Sequence, residues 1–418
     1  MWAHAPYRGD EKAVLRMRST VAEGPRMRSA MRGAWRAARL MAAAVGTGSG
    51  AGTGPKRPRP EPALRIGTHD GTFHCDEVLA CYLLRLLPRY RDAEVVRTRD
   101  PQRLAQCDVV VDVGGEYDPE RHRYDHHQRS FAESMRSLRP DKPWSTKLSS
   151  AGLVYCHFGS QILAGLLGQP EDGPVVTALY DKLYENFVEE IDAIDNGIAQ
   201  AEGEPRYALT TTLSARVGHL NPRWNDPDQD TEEGFKRAME LVGGEFMDRL
   251  DYYHRAWLPA RALVEEAIRR RFEVDASGAV LEFPQGGCPW KEHVFSLEQE
   301  LALPDPLQLV LFPDRSGQWR VQSVPVGPHT FQSRVPVPGE QVFTCRLPLL
   351  PPPPPPQSPS PRALARSAGR GAVPARRHPG CVFVHASGFI GGNRTREGAL
   401  EMARWTLAQR RGGGAQSG

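Results

Sequence analysis

The chain has 418 residues, 40% of them hydrophobic, and a net charge of only +3. That length holds roughly two or three domains with real cores, and the near-neutral charge excludes a globally basic nucleic-acid binder, so any such contact must come from a local groove. Seven scattered cysteines, at 75, 81, 107, 156, 288, 345 and 381, favour a reducing compartment over a secreted disulfide framework. No apolar run approaches the ~18 residues of a membrane span, so no membrane partner is expected.

Residues 1–60 read as a disordered targeting segment. From Gly24 to Pro60 there is no acidic residue, and Met27 to Met41 is Arg-rich and able to form an amphipathic helix, which is transit-peptide composition. Met17, Met27, Met31 and Met41 are candidates for alternative starts. Gly46 to Gly54 is a flexible spacer, and Lys56-Arg57-Pro58-Arg59 is either a nuclear-import patch or a solvated linker.

Residues 61–270 read as a metal-binding domain with a helical extension. Leu64-Arg65-Ile66-Gly67 is a short strand, and the apolar residues from Val78 to Leu87 keep helical spacing. The loop between them carries His69, Asp70, His74, Asp76 and Glu77. Glu94 to Arg97 is a further strand. Cys107 to Val113 is a buried-type strand with Asp112 near its end and glycines at 114 and 115. Tyr124-Asp125-His126-His127 follows. In extended backbone two adjacent histidines face opposite ways, so one could bind metal while the other points toward a substrate. Imidazole with carboxylate suits Mn²⁺, Fe²⁺ or Zn²⁺, and six or more such groups suffice for two ions. A lone surface His-x-Asp means nothing, but this concentration at predicted strand ends favours a site over coincidence.

Ser149 or Ser150 could cap the apolar helix Ala151 to Leu167, as a plain cap or as a phosphate site at the helix N-terminus. Val176 to Asn196 reads as one long helix on which Asp192 and Asp195, three apart, share a face; either could join the metal cage. Thr231 to Arg271 is largely helical. Residues 271–410 read as a second, smaller domain. Its expected strands are 271–274, 279–283, 307–312 and 318–326, with a hairpin turn at Asp314 to Gly317. The domain is interrupted by a Pro/Arg/Ala-rich insert at 339–379 that cannot bury a core and that we read as a retained intron or gene-model error. After a strand at 381–386, Ser387 to Arg396 is a glycine-rich loop before a helix. There Gly391 and Gly392 allow close backbone approach, and Arg394 and Arg396 can grip phosphate oxygens.

Asp125-His126-His127 after a strand ending in Asp112 resembles the DHH phosphoesterase superfamily, which includes manganese-dependent family II pyrophosphatases and RecJ-type exonucleases. Gly67 to Glu77, Val113 to Pro119, Tyr124 to Phe131, Glu185 to Gly197 and Val384 to Gly392 resemble one branch more closely, the melanocyte proliferating gene protein family. The resemblance implies an α/β fold with a mostly parallel sheet flanked by helices and a smaller α+β C-terminal domain. It implies a 3′-to-5′ exonuclease of mitochondrion and nucleus acting on single-stranded RNA through two-metal hydrolysis, with two Mn²⁺ about 3.5–4 Å apart. It assigns His69, His74, Asp76, Asp112, His126 and Asp192 as ligands, Asp112 as their bridge, His127 toward the scissile phosphate, and Asp125 orienting an imidazole. Lys147, Ser149 and Ser150 would contact a phosphate. The first motif departs from the pyrophosphatase pattern, and Asn393 stands where the superfamily often has a histidine. A small-substrate phosphatase or pyrophosphatase, and a non-catalytic metal-stabilised RNA-binding scaffold, are the alternatives.

Overall fold

The computed structural model describes residues 63–339 and 380–413. The expected targeting segment and nearly all of the 339–379 insert lie outside them. The described chain forms two compact units divided between His254 and Arg255, inside the expected helical extension and before the expected boundary at 270. Each unit is a sheet flanked by helices, so the fold is α/β with a smaller C-terminal domain.

The first unit opens with β1 (Arg65–Thr68), α1 (Cys75–Leu86), β2 (Glu94–Arg97) and β3 (Val109–Val111), followed by β4 (Tyr117–Asp118) and β5 (Arg123–Tyr124). The sheet order is β2-β1-β3-β5-β4. β1 runs parallel to β2 and β3, and β3 parallel to β5; β4 is an antiparallel edge. Three parallel strands therefore end at one sheet edge, and the next residues are His69, Asp112 and Asp125. That edge is where an open α/β sheet binds its ligands.

Helices cover the sheet because their apolar residues recur on one face. α1 buries Val78, Leu79, Leu83 and Leu84. α2 (Ser150–Leu167) is 18 residues long and apolar enough by length and composition to cross a membrane, yet Leu153, Val154, Tyr155, Ile162 and Leu163 are buried in the core of this unit. The expected helix 176–196 is α3 (Pro174–Leu183), a π turn (Tyr184–Val188) and α4 (Glu189–Asp195). A π turn inserts one residue into the helical register and marks functional sites more often than chance. α5 (Thr231–Tyr252) completes the unit.

The second unit contains α6 (Leu258–Arg269), β6 (Val280–Glu282), α7 (Lys291–Glu300), β7 (Leu309–Pro313), β8 (Trp319–Ser323), β9 (Cys381–Val384), β10 (Ile390–Asn393) and α8 (Arg396–Gly413), in sheet order β6-β7-β8-β10-β9. Successive side chains on β7 point to opposite faces. Leu309 and Leu311 pack with Ala399, Met402 and Ala403 of α8, while Val310 packs with Val264, Ile268, Val294 and Leu297 of α6 and α7. The expected strand at 271–274 is a helical turn instead. Arg271 donates to the Ile268 carbonyl and Arg270 pairs with Glu273 one turn on, and Phe272 is left exposed. Cys75, Cys81, Cys107, Cys156 and Cys288 are free thiols.

Candidate metal centre

The β1–α1 loop places its side chains through the start of α1. His74 is the N-cap residue, and Glu77 closes a capping box by accepting the His74 backbone N–H at 2.8 Å. The same carboxylate lies 3.1 Å from His69 Nε2. Its second oxygen, Oε2, is buried and has no hydrogen-bond partner. The loop is held from outside. Asn221 both accepts from the Phe73 N–H and donates to the Phe73 carbonyl, at 3.0 and 2.8 Å. Arg97 stacks over Phe73 and Phe235 and donates to the Gly71 carbonyl.

Asp112 is the hub. It leaves β3 at φ +58°, a left-handed conformation that Asp tolerates better than most residues. Its carboxylate then lies 3.5 Å from His69 Nε2, 3.5 Å from His126 Nδ1 and 3.4 Å from His127 Nδ1, and it accepts from Ser150 Oγ at 3.3 Å. The two adjacent histidines do not face opposite ways. They follow β5 in a loop, not in extended strand, and their rings lie 4.4 Å apart, both on Asp112. They differ in exposure: His126 is buried, while the His127 side chain is 62% exposed. Asp125 accepts from the Gly115 N–H, the His127 N–H and His127 Nδ1, so it fixes the His127 ring with Nε2 outward.

The helix carboxylates divide their work. Asp195 Oδ2 lies 2.9 Å from His126 Nε2. Asp192 is fully buried and turned to the N-terminus of α2 instead, accepting from the Ser149 N–H, Ser149 Oγ and the Tyr184 hydroxyl. Gly152 makes room, since a Cβ there would collide with the Asp192 carboxylate. Asp76 shares that helix end, accepting from the Ser150 and Ala151 N–H groups, and Ser149 Oγ, with one proton to donate, lies within hydrogen-bond distance of both Asp76 and Asp192. The second oxygen of Asp76 is 3.8 Å from His126 Nδ1. The carboxylate that meets the histidines from this helix is therefore Asp195, not Asp192.

The expected substrate contacts are also placed differently. Ser149 and Ser150 are buried and bonded to carboxylates, so the helix N-terminus has no free donors there for a phosphate. Lys147 is half-exposed, its ammonium 5.7 Å above the Phe131 ring, and Phe131 lies 6.4 Å from His126. In the second unit, Gly391 and Gly392 belong to β10 and not to a loop. A side chain at Gly392 would displace Arg320 from its stack on Phe383. Arg396 is tied to Glu282 by two hydrogen bonds; Arg394 is exposed. Asn393 is buried and accepts from the Thr395 N–H.

Three sets of ligand atoms, each within 4.8 Å of one another, result: Asp112, Asp125, His126 and His127; His69, His74 and Glu77; and Asp76, His126 and Asp195. Buried carboxylates concentrated this closely must be protonated or neutralised by nearby positive charge. Burial and the neighbouring Asp112 and Asp195 push the Asp76 carboxyl well above its ordinary range. Burial would lower the His69 imidazole, but its bonds to Asp112 and Glu77 outweigh that and raise it to about 10. The bond to Asp125 raises His127. Asp125 goes down, because donors from His127 and Gly115 outweigh its burial. The N/O donor set and the partnerless Glu77 oxygen fit divalent metal ions. Glu77 was not among the ligands expected from sequence; its place three residues after the His74 cap was the available signal.

The chain matches the family model MYG1_exonuc, described as an uncharacterised protein family (UPF0160), over residues 65–341 and 374–407. The gap in that match falls within the proline-rich insert. The chain is 64% identical over 347 residues to MYG1 exonuclease of Homo sapiens, covering 83% of this chain and 86% of that protein. It is 63% identical over 347 residues to MYG1 exonuclease of Rattus norvegicus, covering 83% and 85%. With the MYG1 protein of Dictyostelium discoideum it shares 44% identity over 350 residues, 83% of this chain and 97% of that protein. No solved structure matches. On the extent of the family match and on these identities, the chain belongs to the MYG1 family.

Proposed function

We propose that this chain is a metal-dependent exonuclease that hydrolyses single-stranded RNA from the 3′ end, with two divalent ions, Mn²⁺ in the first instance, in the mitochondrial matrix and the nucleus. The observation that carries the reading is the Asp112 carboxylate shared among His69, His126 and His127 at the C-terminal edge of a parallel sheet. The relatives named MYG1 exonuclease supply the reaction class; the arginine-rich composition of 1–60 supports the organelle.

The ions would be held by Asp112 and His126 with Asp76, Asp195, His69, His74 and Glu77; Asp195 takes the place expected for Asp192. When bound, they supply a water ionised near neutral pH and positive charge for the phosphoryl oxygens. The remaining work falls to the protein. Asp125 holds His127 by Nδ1, and the same bond keeps the imidazole protonated to higher pH than usual. Its exposed Nε2–H is thereby poised to protonate the leaving oxygen. Lys147, whose ammonium stands over the Phe131 ring beside His126, would neutralise a phosphate.

The test uses the full chain on 5′-labelled single-stranded RNA in Mn²⁺, with Asp112→Ala as control. A ladder shortening from the 3′ end, absent in the control, is expected. Release of phosphate from pyrophosphate with RNA left intact would replace this reading with the small-substrate one. Turnover of neither, by folded and metal-loaded protein, would leave a scaffold.

A further inference from the structure

A row of aromatic rings leads away from the metal cluster along the seam between edge strand β4 and helix α2. Phe131 stands 6.4 Å from His126 and meets Tyr117 edge-on at 5.5 Å. Tyr117 lies 6.1 Å from His157, to which its hydroxyl is hydrogen-bonded at 2.9 Å. Phe158 follows at 6.3 Å from His157, and His122 at 6.2 Å from Phe158. The inner ring, Phe131, is buried, and the row packs against the buried Tyr124. Beyond Phe131 the rings reach the surface: His157 is exposed, and Tyr117, Phe158 and His122 are only partly covered.

A cation stands at the inner end of the row. Lys147 lies over Phe131. Aromatic faces in series beside positive charge are what single-stranded nucleic acid binds without sequence preference. The length also fits. His157 is seven residues into α2 from Ser150, which touches both Asp112 and His126. At about 1.5 Å per residue that is about 10 Å, or about three stacked bases.

We propose that this ledge, formed by Tyr117, His157 and Phe158, stacks the bases of the single-stranded RNA segment leading to the scissile phosphate. The inference rests on the ribonuclease reading above and assigns that site its substrate-length preference.

The test is steady-state kinetics of the full chain in Mn²⁺ on ribo-oligonucleotides of two, three and five nucleotides. The wild type is expected to show a lower KM for the pentanucleotide than for the dinucleotide. His157→Ala, a change at an exposed position, is expected to raise the pentanucleotide KM about fivefold or more, the worth of one stacked base, with kcat retained. The ratio of the two KM values then moves toward one, and His157→Trp restores it, which a merely structural histidine would not allow. An unchanged ratio in His157→Ala overturns the ledge. Failure of the ribonuclease reading looks different: the wild type would hydrolyse bis(p-nitrophenyl) phosphate but no oligonucleotide of any length, and the ledge would fall with it.

Discussion

Asp192 and Asp195 are three residues apart on one helix, and the geometry gives them different work that substitution can separate. Removing the Asp192 carboxylate as Asp192→Ala leaves the Ser149 N–H and the Tyr184 hydroxyl without acceptors in a dry site. At about 1–3 kcal/mol for each orphaned donor, the loss is about 2–6 kcal/mol. Asp192→Asn is different. Its amide oxygen still accepts from Ser149, and its NH₂ can donate to Tyr184 once that hydroxyl turns. Burial raises the Asp192 carboxyl to about 7. A folded-state pKa above the ordinary 3.8 means that the native protein binds the extra proton between those values, so stability falls as pH rises from about 4 through 7. The full effect is of the order of 4 kcal/mol above pH 7. Asparagine mimics the neutral acid and has no such dependence, so Asp192→Asn should match the wild type near pH 4 and exceed it at pH 8. Urea unfolding across that pH range measures the difference, and calorimetric Mn²⁺ titration gives the companion result: Asp195→Asn weakens metal binding, whereas Asp192→Asn retains it. A Mn²⁺ affinity lost in Asp192→Asn and kept in Asp195→Asn would refute the assignment.

Asp112→Asn keeps a residue that tolerates the left-handed backbone but removes the charge between three histidines; folding should persist by circular dichroism while turnover falls at least about 100-fold. Arg97→Lys gives up the fork that bonds Gly71, Thr231 and Glu232 and the stack on Phe73 and Phe235. A loss of about 2–4 kcal/mol is expected by urea unfolding, and less than about 1 kcal/mol would show that the loop is held otherwise. Chelation should lower Tm, and Mn²⁺ at about 100 times its Kd should return about 2.7 kcal/mol; a Tm indifferent to both would mean that the carboxylate cluster holds no ion.

Much of the site could be read from local sequence because it lies at strand ends. A strand needs only a few apolar residues and a glycine to be recognised, and in a parallel sheet the residues that follow such strands meet at one edge; His69, Asp112 and Asp125 are fixed by that rule alone. What could not be read depends on contacts between distant segments. Helical spacing puts Asp192 and Asp195 on one face, but which of them caps α2 is decided by the π turn at Tyr184–Val188 and by the missing Cβ of Gly152. His126 and His127 were expected to diverge on the period of a strand, and the strand ends two residues too early. Gly391 and Gly392 have the composition of a loop, yet their lack of side chains serves the close approach of Arg320 and Phe383 across a sheet. Arg271 to Val274 alternates like a strand, yet Arg271 bonds the Ile268 carbonyl and Arg270 pairs with Glu273, both at helical spacing.

The saturated N-terminus of α2 has a chemical consequence. A helix end with free N–H groups attracts phosphate, but here Asp76 takes the N–H groups of Ser150 and Ala151, and Asp192 takes that of Ser149. The dipole therefore offsets two buried carboxylates. Asp125 and Asp195 lie beyond those bonds and, with Asp112 and the second oxygen of Asp76, are the carboxylates gathered around His126 and His127. Positive charge for a substrate phosphate must then come from ions held by that second group, from His127 and from Lys147. On this arrangement Ser149→Ala should act indirectly: by unlinking Asp76 from Asp192 it would weaken Mn²⁺ binding, measured by calorimetry, more than it raises the KM for substrate. A large rise in KM at unchanged Mn²⁺ affinity would instead place Ser149 at the phosphate.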